Sequence, residues 1–179
     1  MLLSIKEMEA RKLPFAVSLP PGALDFTGAG LAQSGDLRAQ GEAGIVPYSG
    51  GDVRIHGQLQ ANLAFDCDRC LSRAELPLDL AFDLIYKPSA AIPAEEDEEK
   101  AIDEGEAEMG FYEEPGLELE DVLREQVLFS LPMQRVCRPD CLGICPVCGG
   151  NRNQHPCHCE SHPVNESWGA LKDLQIETK

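Results

Sequence analysis

The sequence predicts an α+β protein: an antiparallel β-sheet with a covering helix and a C-terminal Cys-rich, zinc-binding segment. Three observations support this class. Two runs of alternating apolar and polar residues flank a C-x2-C motif, between residues 53 and 86. An apolar stripe with helical spacing begins near residue 117, and six of the eight cysteines fall in residues 137–159. Alternation with period two is typical of a half-buried strand, and a period near 3.6 is typical of an amphipathic helix.

The first 52 residues give weaker signals. Residues 22–35 contain four glycines, which predicts a surface loop or a short helix. Alternation over residues 37–45 predicts a strand, and residues 47–52 predict a turn. Before residue 20, spaced apolar side chains indicate short strands, at Leu2, Ile5, Leu13, Phe15, Val17 and Leu19.

The clearest strand signal is a hairpin. Apolar residues occupy the odd positions of 53–65 and the even positions of 74–86. Cys67 and Cys70 lie in the short link between these runs, so we expect an antiparallel hairpin with the cysteine pair at its tip. His56 falls on the polar face of the first strand, and we interpret it as a solvated side chain.

The net charge of −16 is concentrated in one stretch. Residues 95–125 contain fifteen acidic and two basic side chains. A segment with so few apolar anchors cannot offset its ordering entropy. We therefore expect a mobile acidic insertion at about 88–116, and we expect residues 90–115 to be removable without unfolding the domain. We interpret the acidic insertion as a solvated loop. The alternative is an acidic arm that contacts a basic partner.

A covering helix is predicted after Gly116. Apolar side chains recur at helical spacing from Leu119 to Leu131, acidic residues lie in the first turn, and Pro132 ends the pattern. This helix closes a sheet-plus-helix domain, residues 1–136. It leads directly into the Cys-rich segment, residues 137–179, in which we expect a terminal helix over 165–174, with Trp168 as a packing anchor.

The cysteines have the spacing of zinc ligands, because thiolates two or three residues apart can bind one ion. The x8 gap after Cys148 allows a loop to return to the same ion, which predicts one local site. The hairpin pair is then left to meet the pair that follows the covering helix. We expect two structural zinc ions, with the ligand sets Cys145, Cys148, Cys157, Cys159 and Cys67, Cys70, Cys137, Cys141. The alternatives are unrelated thiols, or replacement of one sulfur by His155, His158 or His162.

Composition also favours some classes of function over others. No apolar run reaches the length of a membrane span, and the N-terminus lacks the apolar region of a secretory signal. We therefore expect a cytoplasmic protein, in which metal binding is favoured over disulfides. Scarce Lys and Arg argue against a DNA-binding zinc ribbon. The oligomeric state is left open.

The chain resembles the YceD-like family, a bacterial domain of unknown function also described as large ribosomal RNA subunit accumulation proteins. The resemblance rests on residues 65–71, 125–132 and 137–159, above all Cys141-Leu142-Gly143-Ile144-Cys145-Pro146-Val147-Cys148-Gly149. The Leu-Asn that usually follows in the family is Arg152-Asn153 here, and the closing segment 168–174 also fits. The resemblance implies a role in accumulation of large-subunit (23S) ribosomal RNA, with ribosomal RNA or a basic large-subunit protein as partner. It implies no catalytic residues.

The sequence disfavours two classes of enzyme. Cys141, Cys145 and Cys148 have the spacing of the iron–sulfur motif of radical S-adenosylmethionine enzymes, but only 31 residues follow Cys148, too few to complete their barrel. A catalytic zinc keeps an open position, whereas all-Cys sites are closed and structural. We therefore predict that the protein is not an enzyme. The alternative is a zinc-thiolate redox sensor or a protein-interaction module not tied to the ribosome.

Overall fold

The computed structural model describes residues 1–89 and 109–159 of the chain. These residues form a mostly β structure with few helices, in agreement with the predicted α+β class. In chain order the elements are β1 (Leu2–Ser4), α1 (Ile5–Ala10), β2 (Leu13–Leu19), a 3₁₀ helix (Thr27–Ala29), β3 (Leu31–Gln33), β4 (Leu37–Ile45), β5 (Val53–Asp66), β6 (Arg73–Pro88), β7 (Met109–Tyr112), β8 (Gly116–Glu118) and α2 (Leu119–Phe129).

The main sheet has six strands, with β5 at its centre. Its order is β2-β4-β5-β6-β7, and β3 pairs with the end of β5 nearest the hairpin tip. All of these pairs are antiparallel except β6–β7, which is parallel. A separate antiparallel pair joins β1 to β8. The chain therefore brings the C-x2-C tip to one end of the longest hairpin in the sheet.

The predicted hairpin is confirmed, with β5 and β6 paired over fourteen positions from Val53↔Tyr86 to Asp66↔Arg73. Its apolar residues face the core, as the alternation predicted. Val53, Ile55, Leu59 and Leu63 of β5 are fully buried. The even residues of β6 lie on the same face, because residues opposite each other in a ladder share a side of the sheet.

A row of two phenylalanines and two glycines crosses the core face of the sheet. Phe15 pairs with Gly41, Gly41 with Gly57, and Gly57 with Phe82, so one residue comes from each of β2, β4, β5 and β6. The two rings lie 6.5 Å apart at 14°. A Cβ on Gly41 would lie 2.7 Å from the Phe15 ring and 2.1 Å from the carbonyl oxygen of His56. The glycines thus make room for the rings.

The covering helix is confirmed as α2, which begins at Leu119, two residues after the predicted start, because Gly116–Glu118 form β8. Leu119, Val122, Leu123 and Val127 are buried in the same core as the sheet residues. The Arg124 guanidinium donates from Nε to the carbonyl oxygen of Asp25 at 2.9 Å, which ties the helix to the N-terminal part.

Several expectations for the shorter elements were wrong. The residues around Ile5 form α1, where a strand was indicated. Residues 22–35 contain the predicted short helix, the 3₁₀ helix Thr27–Ala29, but also the strand β3, and Leu24, Phe26 and Leu31 anchor the segment in the core. The acidic insertion is shorter than 88–116, because β7 (Met109–Tyr112) falls inside those bounds and β8 begins at their end. The described residues do not include the predicted terminal helix over 165–174, which contains Trp168. They do not include His162 either. In the described part of the chain no helix is long and apolar enough to cross a membrane.

Two candidate metal centres

The eight cysteine sulfurs lie in two groups of four, and within each group the sulfurs are all within 4.8 Å of one another. We call the group Cys67, Cys70, Cys137, Cys141 the hairpin cluster and the group Cys145, Cys148, Cys157, Cys159 the terminal cluster. These are the two sets that the spacing predicted. No disulfide joins any of the cysteines, all of which lie within the described residues.

Each cluster is built on a C-x2-C turn of the same shape. The N–H of the residue after the second cysteine donates to the carbonyl oxygen of the first, Leu71 to Cys67 and Gly149 to Cys145, both at 2.9 Å. That residue has positive φ in both turns, 60° at Leu71 and 70° at Gly149. Glycine adopts such a φ readily, whereas a leucine there is strained. The two turns are therefore alike in geometry and unlike in strain.

The hairpin cluster closes because the segment after α2 is held against the hairpin tip. The backbone N–H of Asp68 donates to the carbonyl of Arg135 at 2.8 Å, and the N–H of Arg135 returns a bond to the Asp68 carboxylate at 2.6 Å. The Arg69 guanidinium donates to Gln134 at 2.9 Å, and the Arg69 carbonyl accepts from the Ile144 N–H at 2.9 Å. These contacts place Cys137 and Cys141 opposite the hairpin pair.

The two clusters differ in burial. In the hairpin cluster Cys67, Cys70 and Cys141 are buried at 0, 5 and 6% exposure and form a small apolar cluster with Val136. In the terminal cluster only Cys145 is buried, while Cys148 and Cys159 are exposed. Three of the four cysteines of the hairpin cluster are therefore buried, with Cys137 exposed at its margin, whereas the terminal cluster lies largely on the surface.

The sulfur geometry fits a tetrahedral ion. A zinc–sulfur bond of about 2.3 Å gives a sulfur–sulfur edge of about 3.8 Å in a regular tetrahedron. The Sγ atoms of Cys67 and Cys141 are 3.9 Å apart, and those of Cys70 and Cys137 are 3.7 Å apart. Four thiolates with no histidine or carboxylate form a soft, closed donor set of the kind that suits zinc. Each cluster can therefore hold a metal ion.

Backbone N–H groups aimed at sulfur support the thiolate form of one cysteine in each cluster. Burial alone would raise the pKa of Cys67, but backbone hydrogen bonds, first from Cys137 at 3.3 Å, lower it to about 6. Backbone N–H groups of Cys148 and Val147 lower the pKa of Cys145 to about 6. Thiolates are the form in which cysteine binds metal.

Another thiol in each cluster shows the opposite effect. Burial, together with its sulfur neighbours, raises the pKa of Cys137 to about 12. Hydrogen bonding to Cys148, followed by burial, raises the pKa of Cys159 to about 12. Sulfurs this close compete for negative charge, so four thiolates in one cluster need a cation among them.

Two asparagines of the terminal loop connect the clusters. Asn151 donates from Nδ2 to the Ser72 hydroxyl at 2.9 Å and to the carbonyl oxygen of Cys70 at 3.5 Å, both at the hairpin tip. Asn153 donates from Nδ2 to the sulfur of Cys141 at 3.3 Å, and its Oδ1 accepts from the Leu142 N–H at 2.9 Å. A loop of one cluster therefore supports a ligand of the other.

Spacing predicted the two groups of cysteines but not the residues that support them. Asp68, Arg69 and Asn153 lie in segments that carry the family resemblance, but the spacing of the cysteines gives no sign of their contacts or of those of Asn151. The histidines offered as alternative ligands, His155 and His158, belong to neither group of four. His56 lies on the polar face, as predicted, but is only partly exposed, and its Nδ1 is buried without a hydrogen-bond partner among the described residues.

The described residues thus define a β-sheet protein that carries, at one hairpin tip, two four-cysteine clusters able to hold metal ions. The chain belongs to the YceD family: the family model described as large ribosomal RNA subunit accumulation protein YceD matches residues 55–175. The match spans the hairpin, α2 and both clusters, and the resemblance found in the sequence is confirmed.

Relatives of this chain occur in mycobacteria. It is similar to uncharacterized proteins of Mycobacterium bovis and Mycobacterium tuberculosis, each 29% identical over 124 residues, which is 68% of this chain and 55% of those proteins. An uncharacterized protein of Mycobacterium leprae is 24% identical over 123 residues, 69% of this chain and 53% of that protein. The chain therefore spans about half the length of these relatives. No solved structure matches it.

Proposed function

We propose that this protein is a non-catalytic factor in biogenesis of the large ribosomal subunit, which supports accumulation of large-subunit (23S) ribosomal RNA. Both cysteine clusters hold structural zinc in this proposal. The observation that carries it is the family match over residues 55–175, because the family is described by that role and the match includes the hairpin and all eight cysteines.

The zinc assignment is supported by the chemistry of the donor sets. A catalytic zinc needs an open coordination position, commonly beside histidine or carboxylate ligands. Each cluster instead offers four thiols within 4.8 Å of one another, so one tetrahedral ion would have all of its positions filled. Zinc would join the sheet to the segment that follows α2, and the protein would act through its surfaces.

The direct partner is ribosomal RNA or a basic protein of the large subunit. Outside residues 95–125 the chain carries 16 acidic and 13 basic side chains, with no long basic run. Binding RNA mainly through phosphate contacts requires clustered Lys and Arg. This balance favours a protein contact over an extended RNA interface.

Deletion of the gene tests the role. The ratio of large-subunit to small-subunit ribosomal RNA should fall, and restoring the gene should restore it. A Cys67→Ser gene should not restore the ratio, whereas an Arg152→Ala gene, changed at an exposed neighbour of the clusters, should. An unchanged ratio across several growth conditions contradicts the role, and full rescue by Cys67→Ser contradicts the need for the hairpin cluster.

Exposure of the terminal cluster favours a second candidate, a zinc-thiolate redox sensor. Hydrogen peroxide would take two electrons from a pair of exposed thiolates such as Cys148 and Cys159 and two protons from solvent, forming a disulfide and two water molecules while the ion loses two ligands. Release of one zinc per chain at low peroxide, reversed by a thiol reductant, would support this role. Equal resistance of both clusters would reject it.

A further inference from the structure

The long edge of β6 lies open along most of its length. On the side away from β5, β7 pairs only with residues from Ile85 to Pro88. Residues 73–84 pair with no strand on that side among the described parts of the chain. Twelve residues of strand extend about 40 Å, which is long enough to accept a peptide strand.

The ladder shows which backbone groups face outward at this edge. The N–H of Cys67 donates to the carbonyl oxygen of Ser72 at 3.0 Å, so this pair is hydrogen-bonded. Bonded and non-bonded pairs alternate along an antiparallel ladder. With the register Phe65↔Ala74, the even residues of β6 bond to β5 and the odd residues direct their N–H and C=O groups away from it.

Two prolines agree with this alternation. Pro77 of β6 is an odd residue, so its missing N–H is on the open side. Pro14 of β2 occupies the equivalent outward position on the opposite edge of the sheet, since it pairs with Glu42 and the even residues of β4 bond to β5. Proline is tolerated in a sheet at such edge positions. At the β6 edge the outward N–H donors belong to Arg73, Glu75, Asp79, Ala81 and Asp83.

The two faces of this edge have different chemistry. On the core face, the even side chains are only partly buried between residues 74 and 80, although they pack against the core: Ala74, Leu76, Leu78 and Leu80. On the outer face, the exposed side chains include Glu75 and Asp79, neither of which forms an ion pair with a described residue. The edge is thus apolar on one side and acidic on the other.

We propose that the open edge of β6 binds an extended segment of a partner protein in which apolar and basic residues alternate. The segment adds a strand to the sheet through main-chain hydrogen bonds. Its apolar side chains cover the leucine row, and its basic side chains lie beside Glu75 and Asp79. This inference deepens the proposed function and rests on it only for the source of the segment, a basic protein of the large subunit.

The charge of the edge argues against two other occupants. A second copy of the chain, paired through the same edge, would bring the acidic rows together, and like charges directly opposite are destabilising. The acidic stretch 95–108 carries nine acidic residues and one basic residue, so it has the wrong sign as well. A basic strand would not be repelled by the acidic side chains, although it would receive no hydrogen bond at Pro77, which has no N–H.

The test uses the full zinc-loaded chain and a fluorescent eleven-residue peptide that alternates lysine with leucine or valine. The nine acids of 95–108 are first replaced by Gln or Asn, because that stretch would attract any basic peptide. The alternating peptide should bind, and a scrambled peptide of the same composition should bind about tenfold more weakly, since it cannot place its charges and apolar groups on opposite faces. Equal binding of the scrambled peptide would overturn the proposal.

Two changes probe the backbone pairing. Ala81→Pro removes an outward N–H and should weaken binding about tenfold. Ala16→Pro makes the same change on the outward side of β2, the other edge, and should have no effect. N-methylation of the peptide on its edge-facing residues should abolish binding, whereas methylation of the alternate residues should not. This second measurement keeps the test valid if Ala81→Pro fails to fold, and insensitivity to methylation would overturn the proposal.

The double variant Glu75→Gln/Asp79→Asn probes the charge match and should weaken binding about fivefold, with less dependence on salt. The double variant Glu7→Gln/Glu9→Gln makes the same change in net charge on α1, which contacts β4 and β1, and should bind normally. Self-association that is lost in Ala81→Pro would show a second copy as the occupant and overturn the proposal. If the peptide binds but gene deletion leaves the ribosomal RNA ratio unchanged, strand binding at the β6 edge is supported and the ribosomal role is rejected. If deletion changes the ratio but the peptide does not bind, only strand binding at the β6 edge is rejected.

Discussion

The hairpin cluster and the terminal cluster use the same turn and the same four-sulfur set, yet they are embedded differently. The hairpin cluster joins residues up to 74 positions apart and has three buried cysteines. The terminal cluster joins Cys145 to Cys159, 14 positions apart, and has one buried cysteine. Identical chemistry can therefore serve as a long-range crosslink or as a local loop closure.

Chain entropy alone does not explain a large difference between them. Loop-closure entropy grows with the logarithm of length, so loops of 74 and 14 residues differ by only about 1.5 kcal/mol. The larger difference comes from what an ion bound in each cluster would hold in place. The hairpin cluster fixes the sheet against the segment after α2, whereas the terminal cluster fixes its own loop and, through Asn151 and Asn153, part of its neighbour.

The largest expected effect is loss of one ligand from the hairpin cluster. Cys67→Ser should release about one zinc per chain and lower the free energy of unfolding by about 4 kcal/mol, the scale for crosslinking a loop of this length. Zinc content by mass spectrometry and denaturant unfolding measure both quantities.

The matched change in the terminal cluster is Cys157→Ser. It should release the other zinc but lower the free energy of unfolding of the sheet by only about 1 kcal/mol, because local opening does not unfold the core. If the two variants release the same single ion, or destabilise the sheet equally, the two clusters are not the separate units described here.

The connection between the clusters is tested by Asn153→Ala. This change removes the hydrogen bond to the Cys141 sulfur and should weaken zinc binding at the hairpin cluster about tenfold, although Asn153 lies in the terminal loop. Competition with a chelator measures the affinity. The neighbouring Arg152→Ala should leave it unchanged, and a tenfold loss confined to the terminal cluster would contradict the connection.

A smaller effect separates the two turns. Leu71 is 67% exposed at φ 60°, so Leu71→Gly loses little packing and relieves strain. It should raise the free energy of unfolding by about 1 kcal/mol. Gly149→Ala places a side chain at φ 70° and should lower the stability of the terminal loop by about 1 kcal/mol, as judged by hydrogen exchange. The same sign for both changes would mean that the turns are not equivalent.

The smallest effect is expected for the acidic stretch. Replacement of residues 90–108 by a Gly-Ser linker of equal length should change the free energy of unfolding by no more than about 0.5 kcal/mol. The replaced stretch is rich in acidic residues and has few apolar side chains that could pack against the core. Extending the replacement through Tyr112 should cost more, since that side chain is buried and donates to the carbonyl oxygen of Gly51 at 2.7 Å. A large loss from the first replacement would show that the stretch packs.

The sequence predicted those parts of the fold whose pattern is long and periodic. The β5–β6 hairpin repeats its alternation over more than thirty residues, and α2 has a stripe of four buried side chains. The grouping of the cysteines followed from spacing and from the position of the hairpin tip. In these cases local pattern and long-range contact agree.

The parts that could not be predicted are short or depend on distant partners. Helix α1 has only six residues, and only Met8 among them is buried, so no helical stripe is visible. Strand β7 has only four residues, Met109–Tyr112, and it forms by parallel pairing with the end of β6, from which the acidic stretch separates it in sequence. The roles of Asn151 and Asn153 arise from tertiary proximity, which no spacing rule reveals.

The 74 positions between Cys67 and Cys141 also set a delay between synthesis of the two halves of the hairpin cluster. A ribosome adds about 5–20 residues per second, so the finished hairpin tip waits roughly 4–15 s for the second half of its cluster to be made. The terminal cluster, confined to one short stretch, follows directly. During synthesis each new chain therefore presents an open pair of cysteines, at which metal supply and oxidants compete before the sheet is locked to its C-terminal segment.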